Sequence, residues 1–97
     1  MRQFDIVRLH DKKLAVILQS DLFDERETRL VAPLIALKDV KLTSKLHLKV
    51  MVGRKAYVFA TEKLSAIERS EVASVIGTLS DRDYEIRRAL DIVFSGF

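Results

Sequence analysis

Apolar and polar positions alternate through the first two thirds of the chain, and a helical spacing replaces that alternation near the end. Phe4, Ile6 and Arg8 fall on one face of a first predicted strand, and the polar turn His10-Asp11-Lys12-Lys13 leads into Leu14 to Leu18, so the two segments read as a hairpin. The Leu14-Ala15-Val16-Ile17-Leu18 run is apolar on both faces, the mark of a central strand or of one covered on its second face by another subunit. Ser20-Asp21 ends it. A charged stretch from Asp24 to Thr28 precedes a further apolar run, Leu30 to Leu37. The clearest alternation follows, with Leu46, Leu48, Val50 and Val52 set against Lys45, His47, Lys49 and Met51. Gly53-Arg54-Lys55 supplies turn chemistry, and Ala56 to Ala60 reads as the antiparallel return strand.

Leu64 to Ile76 fits two templates. Leu64 and Ile67 have helical spacing, whereas Val72, Val75 and Ile76 suit a short strand, and the segment stays unassigned. The last segment is predicted as a helix. Ser80 is placed as its N-cap with Asp83 three residues on, and Asp81, Asp83 and Glu85 put negative charge at the positive end of the helix dipole. Ile86, Ala89, Leu90 and Val93 form the stripe that packs on the sheet, while Arg87, Arg88 and Asp91 face water. Gly96 stands where a helix commonly ends in a left-handed residue.

At 97 residues and 48% hydrophobic content, the chain is expected to form one domain, residues 1–97, mainly β with a C-terminal α-helix. A core of this size gains from disulfides, metal or self-association, and the sequence has no cysteine, so self-association is the expectation. No apolar stretch is long enough to span a membrane and the first residues lack a secretory signal, so a cytoplasmic protein with no membrane contact is expected. The 17 basic and 14 acidic side chains give a net charge of +3, spread without clustering; this favours an acidic partner without the basic patch of a nucleic-acid binder.

Enzyme signatures are poor: no Gly-rich phosphate loop, no paired metal histidines and no nucleophile elbow. The pair available for acid/base work near neutral pH, His10 and His47, falls at polar positions and reads as solvated surface histidines. Asp21 and Asp24 read as turn residues rather than metal ligands, and no cofactor is expected. Two features are less ordinary. Leu22 and Phe23 are adjacent apolar residues in a charged loop, either tucked back as a lid or offered as a contact. The helix ends Phe94-Ser95-Gly96-Phe97, an apolar tip where terminal residues are usually polar.

Gln19-Ser20-Asp21-Leu22-Phe23-Asp24, Arg29-Leu30-Val31-Ala32-Pro33-Leu34, Thr61-Glu62 after an aromatic strand, Leu79-Ser80-Asp81-Arg82, and Val93 to Phe97 occur in an order and spacing that resembles the CcdB toxin family. The resemblance covers nearly the whole chain. It implies an SH3-like barrel of the CcdB/MazF toxin type with a small extra sheet and a C-terminal helix, assembled as a homodimer. It further implies a non-enzymatic toxin of a type II toxin–antitoxin system, with the associated roles in plasmid maintenance and transcription regulation. Such a toxin binds the DNA gyrase A subunit and traps the cleaved-DNA complex. By the same resemblance the gyrase-binding residues are Leu22, Phe23, Asp91, Ser95, Gly96 and Phe97. The partners implied are a cognate CcdA-like antitoxin, gyrase A and a second copy, with DNA met only indirectly through the antitoxin complex.

The family uses its first hairpin and neighbouring strands to hold the antitoxin. Lys12, Lys13, Lys45 and Lys49 are the expected antitoxin-binding residues, through attraction to an acidic segment. The chain departs from the family's best-known member at Ser95, where that member has Trp, and in a shorter first hairpin. Two alternatives follow: a MazF-like endoribonuclease, whose early Arg-Gly motif and basic groove have no counterpart here, and an antitoxin-binding homologue that no longer poisons gyrase.

Overall fold

A computed structural model describes residues 1–23, 27–40 and 47–96. Seven strands, β1 (Asp5–Leu9), β2 (Leu14–Ile17), β3 (Thr28–Ala36), β4 (His47–Val52), β5 (Lys55–Ala60), β6 (Ser65–Glu68) and β7 (Val72–Thr78), precede one helix, α1 (Asp83–Ser95). The strands form an antiparallel sheet in the order β4-β5-β3-β2-β1-β7, with β6 also on β3, and the sheet curls into a half-barrel. The mainly β architecture with a closing helix is therefore as the pattern predicts.

β3 organises the sheet because it is long enough to serve three partners. One edge pairs with β2, Leu14 opposite Leu34 through Ile17 opposite Val31. The other edge is divided: Thr28 to Val31 pair with β6, and Leu34 to Ala36 pair with β5. Pro33 falls in the gap between those two partners. The Leu30 carbonyl accepts the Leu18 N–H from the β2 side, so by alternation Ala32 and Leu34 direct their backbone groups toward β2 and Pro33 directs its own toward the gap. A proline is tolerated in this interior strand because the donor it lacks is not needed there.

The sheet buries apolar side chains on both faces. On the inner face Phe4, Ile6, Leu14, Val16, Ala32, Leu34, Val50 and Phe59 pack with Leu79 and with Ile86 of α1. On the outer face Val7, Ala15, Ile17 and Val31 form a second cluster under Leu9, Ile67 and Val72. The doubly apolar β2 strand is thus covered on its second face by this chain's own β6–β7 segment, held across it by bonds from the Arg69 N–H to the Glu27 carbonyl (2.6 Å) and from the His10 N–H to the Glu71 carbonyl (3.0 Å). That segment, unassigned from sequence, is two strands joined by a 3-10 turn, Arg69–Glu71.

Two local expectations change. Phe4 precedes β1 rather than belonging to it, with a left-handed backbone (φ 69°) that lets its N–H bond to the Ile17 carbonyl and its carbonyl accept the Leu79 N–H. Ser80 is not the helix N-cap: it opens a 3-10 turn, Ser80–Arg82, Arg82 occupies the cap, and no side chain caps the helix. The turn is already anchored, because the Leu79 carbonyl accepts the Arg82 N–H, and the acidic first-turn residues Asp83 and Glu85 remain to meet the dipole.

Candidate partner-binding surfaces

Leu22 is held out into solvent. It lies in a 3-10 turn, Asp21–Phe23, and is 89% exposed. The turn is fixed from below: Asp21 Oδ1 accepts the Gln3 N–H (2.6 Å), Arg2 pairs with the same carboxylate at 3.4 Å, and Ser20 Oγ accepts the Leu22 N–H. Asp21 is thereby engaged as a turn residue. Gln3 also donates to the Leu18 carbonyl and accepts from Arg87 Nη2 on α1, which ties the Leu22 loop to the helix. Leu22 is therefore not tucked back as a lid over the barrel. The Phe23 side chain and Asp24 lie outside the described residues.

Arg87 sits over the Phe4 ring at 5.4 Å and pairs with Asp83, so it is a structural cation rather than a free one. One turn further on, Asp91 is exposed, and Phe94 and Ser95 follow on the same side of the helix. Phe94 is 71% exposed, an aromatic contact candidate the sequence reading left out of its site. The helix ends at Gly96, whose φ of 80° is left-handed and whose N–H closes on the Ile92 carbonyl (2.9 Å). Phe97 lies outside the described residues.

The expected antitoxin lysines separate. Lys12, itself left-handed at φ 72°, and Lys13 line a groove of about 470 Å³ between the β1–β2 hairpin, β3 and the start of β5, together with Pro33, Asp39, Lys55 and Tyr57. Lys55 Nζ stands 5.5 Å from the Tyr57 ring centre. This gives a cationic rim around an apolar floor. Sequence reasoning missed Lys55 and Tyr57, although their places at the start of the return strand put them opposite Val52 and Val50. Lys49 does not line this groove; it is exposed on β4, beside α1. Lys45 lies outside the described residues.

His10 is exposed on the hairpin, but His47 is not the solvated histidine its polar position suggested. Its side chain is only 13% exposed, and its Nε2 meets Glu62 Oε1 at 2.7 Å. Burial pushes the Glu62 carboxyl up, but the hydrogen bond from His47 and the nearby charges of His47 and Lys63 outweigh this and hold it below the usual carboxylate range. His47 Nδ1 is buried without a partner among the described residues. A ring whose one nitrogen is engaged and whose other is enclosed is poorly placed as a general base.

The CcdB protein family model matches residues 3–96. The chain belongs to the CcdB family. Among solved structures, an endoribonuclease from a mycobacterial species aligns with a TM-score of 0.80 at 12% identity, over 97% of this chain and 90% of that one. An endoribonuclease in complex with its cognate antitoxin, also mycobacterial, gives 0.80 at 11%, over 97% and 94%. A MazE–MazF structure from Deinococcus radiodurans gives 0.75 at 14%, over 97% and 95%. At these identities the likeness is one of fold: the CcdB sequence family and the MazF structures share this half-barrel. Among the described residues no helix is long and apolar enough to cross a membrane.

Proposed function

We propose that this single-domain CcdB-family chain, residues 1–97, is the toxin of a toxin–antitoxin pair. It acts without enzymatic chemistry, as a homodimer that binds the gyrase A subunit and traps gyrase on cleaved DNA. The observation that carries this reading is the family match over residues 3–96; it is supported by the exposure of Leu22, in the segment that resembles the family's contact loop. The contact would comprise Leu22, Phe23, Asp91, Ser95, Gly96 and Phe97, with Phe94 beside them. Ser95 has little area to offer where the best-known member has Trp, so the aromatic side chains around it take the anchoring role. A cognate CcdA-like antitoxin, acidic and disordered when free, occupies the groove of Lys12, Lys13 and Lys55, and attraction to these cations makes its binding weaken with salt.

The test is a supercoiling and cleavage assay with purified gyrase, using proteins first shown by light scattering to be dimeric. Leu22→Asp and Gly96→Glu are expected to lower inhibition tenfold or more, equivalent to about 1.4 kcal/mol, and Ser95→Trp to keep or raise it. Failure of the folded wild type to bind or inhibit gyrase would end the gyrase reading. Rapid mRNA loss on induced expression, without a DNA damage response, would favour the endoribonuclease whose fold the chain shares. Antitoxin binding without either phenotype would mark a homologue that has lost poisoning.

A further inference from the structure

β4 is an end strand of the sheet, and the geometry points to its free edge as a docking site for an extended acidic peptide segment that adds a further strand. The orientation of its backbone follows from two independent observations. The two-residue turn Gly53-Arg54 makes Val52 opposite Lys55 the closing pair of the hairpin, so Val52, Val50 and Leu48 direct their backbone groups to β5. The Lys49 carbonyl, in turn, accepts from Arg82 Nη1, outside the sheet. His47, Lys49 and Met51 therefore aim their N–H and carbonyl groups away from β5, and among the described residues no strand pairs with them.

A groove of about 380 Å³ runs between this edge and α1. Its floor is Leu48, Ala89 and Ile92, and its polar rim is His47, Glu85 and Arg88. Alternate side chains of an added strand would drop into that floor while its backbone paired with β4. The charge around the groove selects the occupant. Glu85 is already matched by the forked hydrogen bonds of Arg82 (3.0 and 2.8 Å), and Glu62 by His47. Arg88, on the rim, and Lys49, on the outward face of β4, make no ion pair among the described residues, which leaves one cation on each side of the edge for carboxylates on the incoming strand. Arg82 Nη1 donates to the Lys49 carbonyl, and an arriving N–H would replace that bond. The proposal rests on the toxin reading only in taking the partner that carries this segment to be the antitoxin. It gives Lys49 a role apart from the Lys12–Lys13 groove.

The probe is a synthetic peptide of alternating valine and glutamate, compared with one of valine and lysine, on the full-length protein. The glutamate peptide is expected to bind, and to slow amide exchange at His47, Lys49 and Met51 at least tenfold while leaving Leu48 and Val50, already bonded to β5, little changed. Met51→Pro removes an outward donor without touching the β5 ladder and should weaken binding tenfold or more, whereas Met51→Ala should not. Lys49→Glu should weaken it in a salt-dependent way. No binding, equal binding of the lysine peptide, protection at other strands, or full affinity in a folded Met51→Pro protein overturns the edge site. Because none of these measurements involves gyrase or toxicity, the edge site and the toxin reading fail separately.

Discussion

The inner face of the sheet is covered by a helix and holds Phe59 and Ile86, both fully buried, whereas the outer face is covered by two short strands and a turn, over Val7, Ala15, Ile17 and Val31. The helix brings a continuous apolar stripe to the inner face. The outer cover brings only half-buried residues, Ile67 and Val72 among them, and its β7 strand is otherwise mostly exposed. Both faces are dry, but they differ in how readily the cover can give way. A chain of this size can close a two-faced sheet without a second subunit, provided one of the covers is thin.

The largest effect should come from the inner face. Phe59→Ala removes a ring that is 0% exposed among strands and helix, and unfolding in urea should show a loss of about 3–5 kcal/mol. A loss below about 1.5 kcal/mol, the range of a tolerated core swap, would mean that the helix cover adjusts as easily as the outer one. Ile17→Ala probes the outer face, and a loss of about 2 kcal/mol is expected, the low end for such truncations because β6 and β7 can settle onto the vacated space. Native-state amide exchange should agree, with β6 and β7 opening at a lower free energy than β2, β3 and β5. Equal opening energies would break the distinction between the two covers.

The smallest effect concerns the turn Thr61–Lys63, which carries the chain from inner strand to outer cover. Glu62 there has a carboxyl held below its usual range, so it contributes stability above the ordinary carboxylate pKa that is lost as pH falls through the lowered folded value. Glu62→Gln should melt at a lower temperature than wild type at pH 7, and the gap should narrow as pH falls below the ordinary carboxylate value of about 4.3 and through the lowered folded one. A gap of the same size at pH 3 would show that the pair with His47 acts through packing rather than charge.

Much of this arrangement was legible because period-two alternation survives wherever a strand meets one well-defined layer. β4 read clearly since Val50 and its neighbours face the core while Lys49 and Met51 face water, and the end of α1 read clearly because a left-handed terminus calls for glycine, which Gly96 supplies. β7 was illegible for a physical reason. Its register against β1 slips twice, leaving Ile76 and Ala73 without opposite partners, and each bulge resets the alternation. The same slips re-aim an otherwise uncharged edge and discourage another chain from adding to it. At the candidate surfaces, the charged loop left open whether Leu22 was tucked back or exposed, and the burial of His47 depended on Glu62, fifteen residues away in the chain. The split of Lys49 from Lys12 and Lys13 depended on which strand ends meet across the half-barrel, which the sequence pattern does not encode locally.

The divided edge of β3 has a consequence for the order of events on the ribosome. β1, β2 and β3 are synthesised first, while both strands that fill the second edge of β3, and the segment that shields Ala15 and Ile17, come later. Until Ser65 to Thr78 have emerged, the nascent sheet presents a bare apolar face and an open edge, the features that recruit chaperones or neighbouring chains. A chain stopped before Ser65 would therefore be a sticky product rather than a smaller version of the fold, and any partner that needs the finished helix can meet only a protein whose outer cover is already in place.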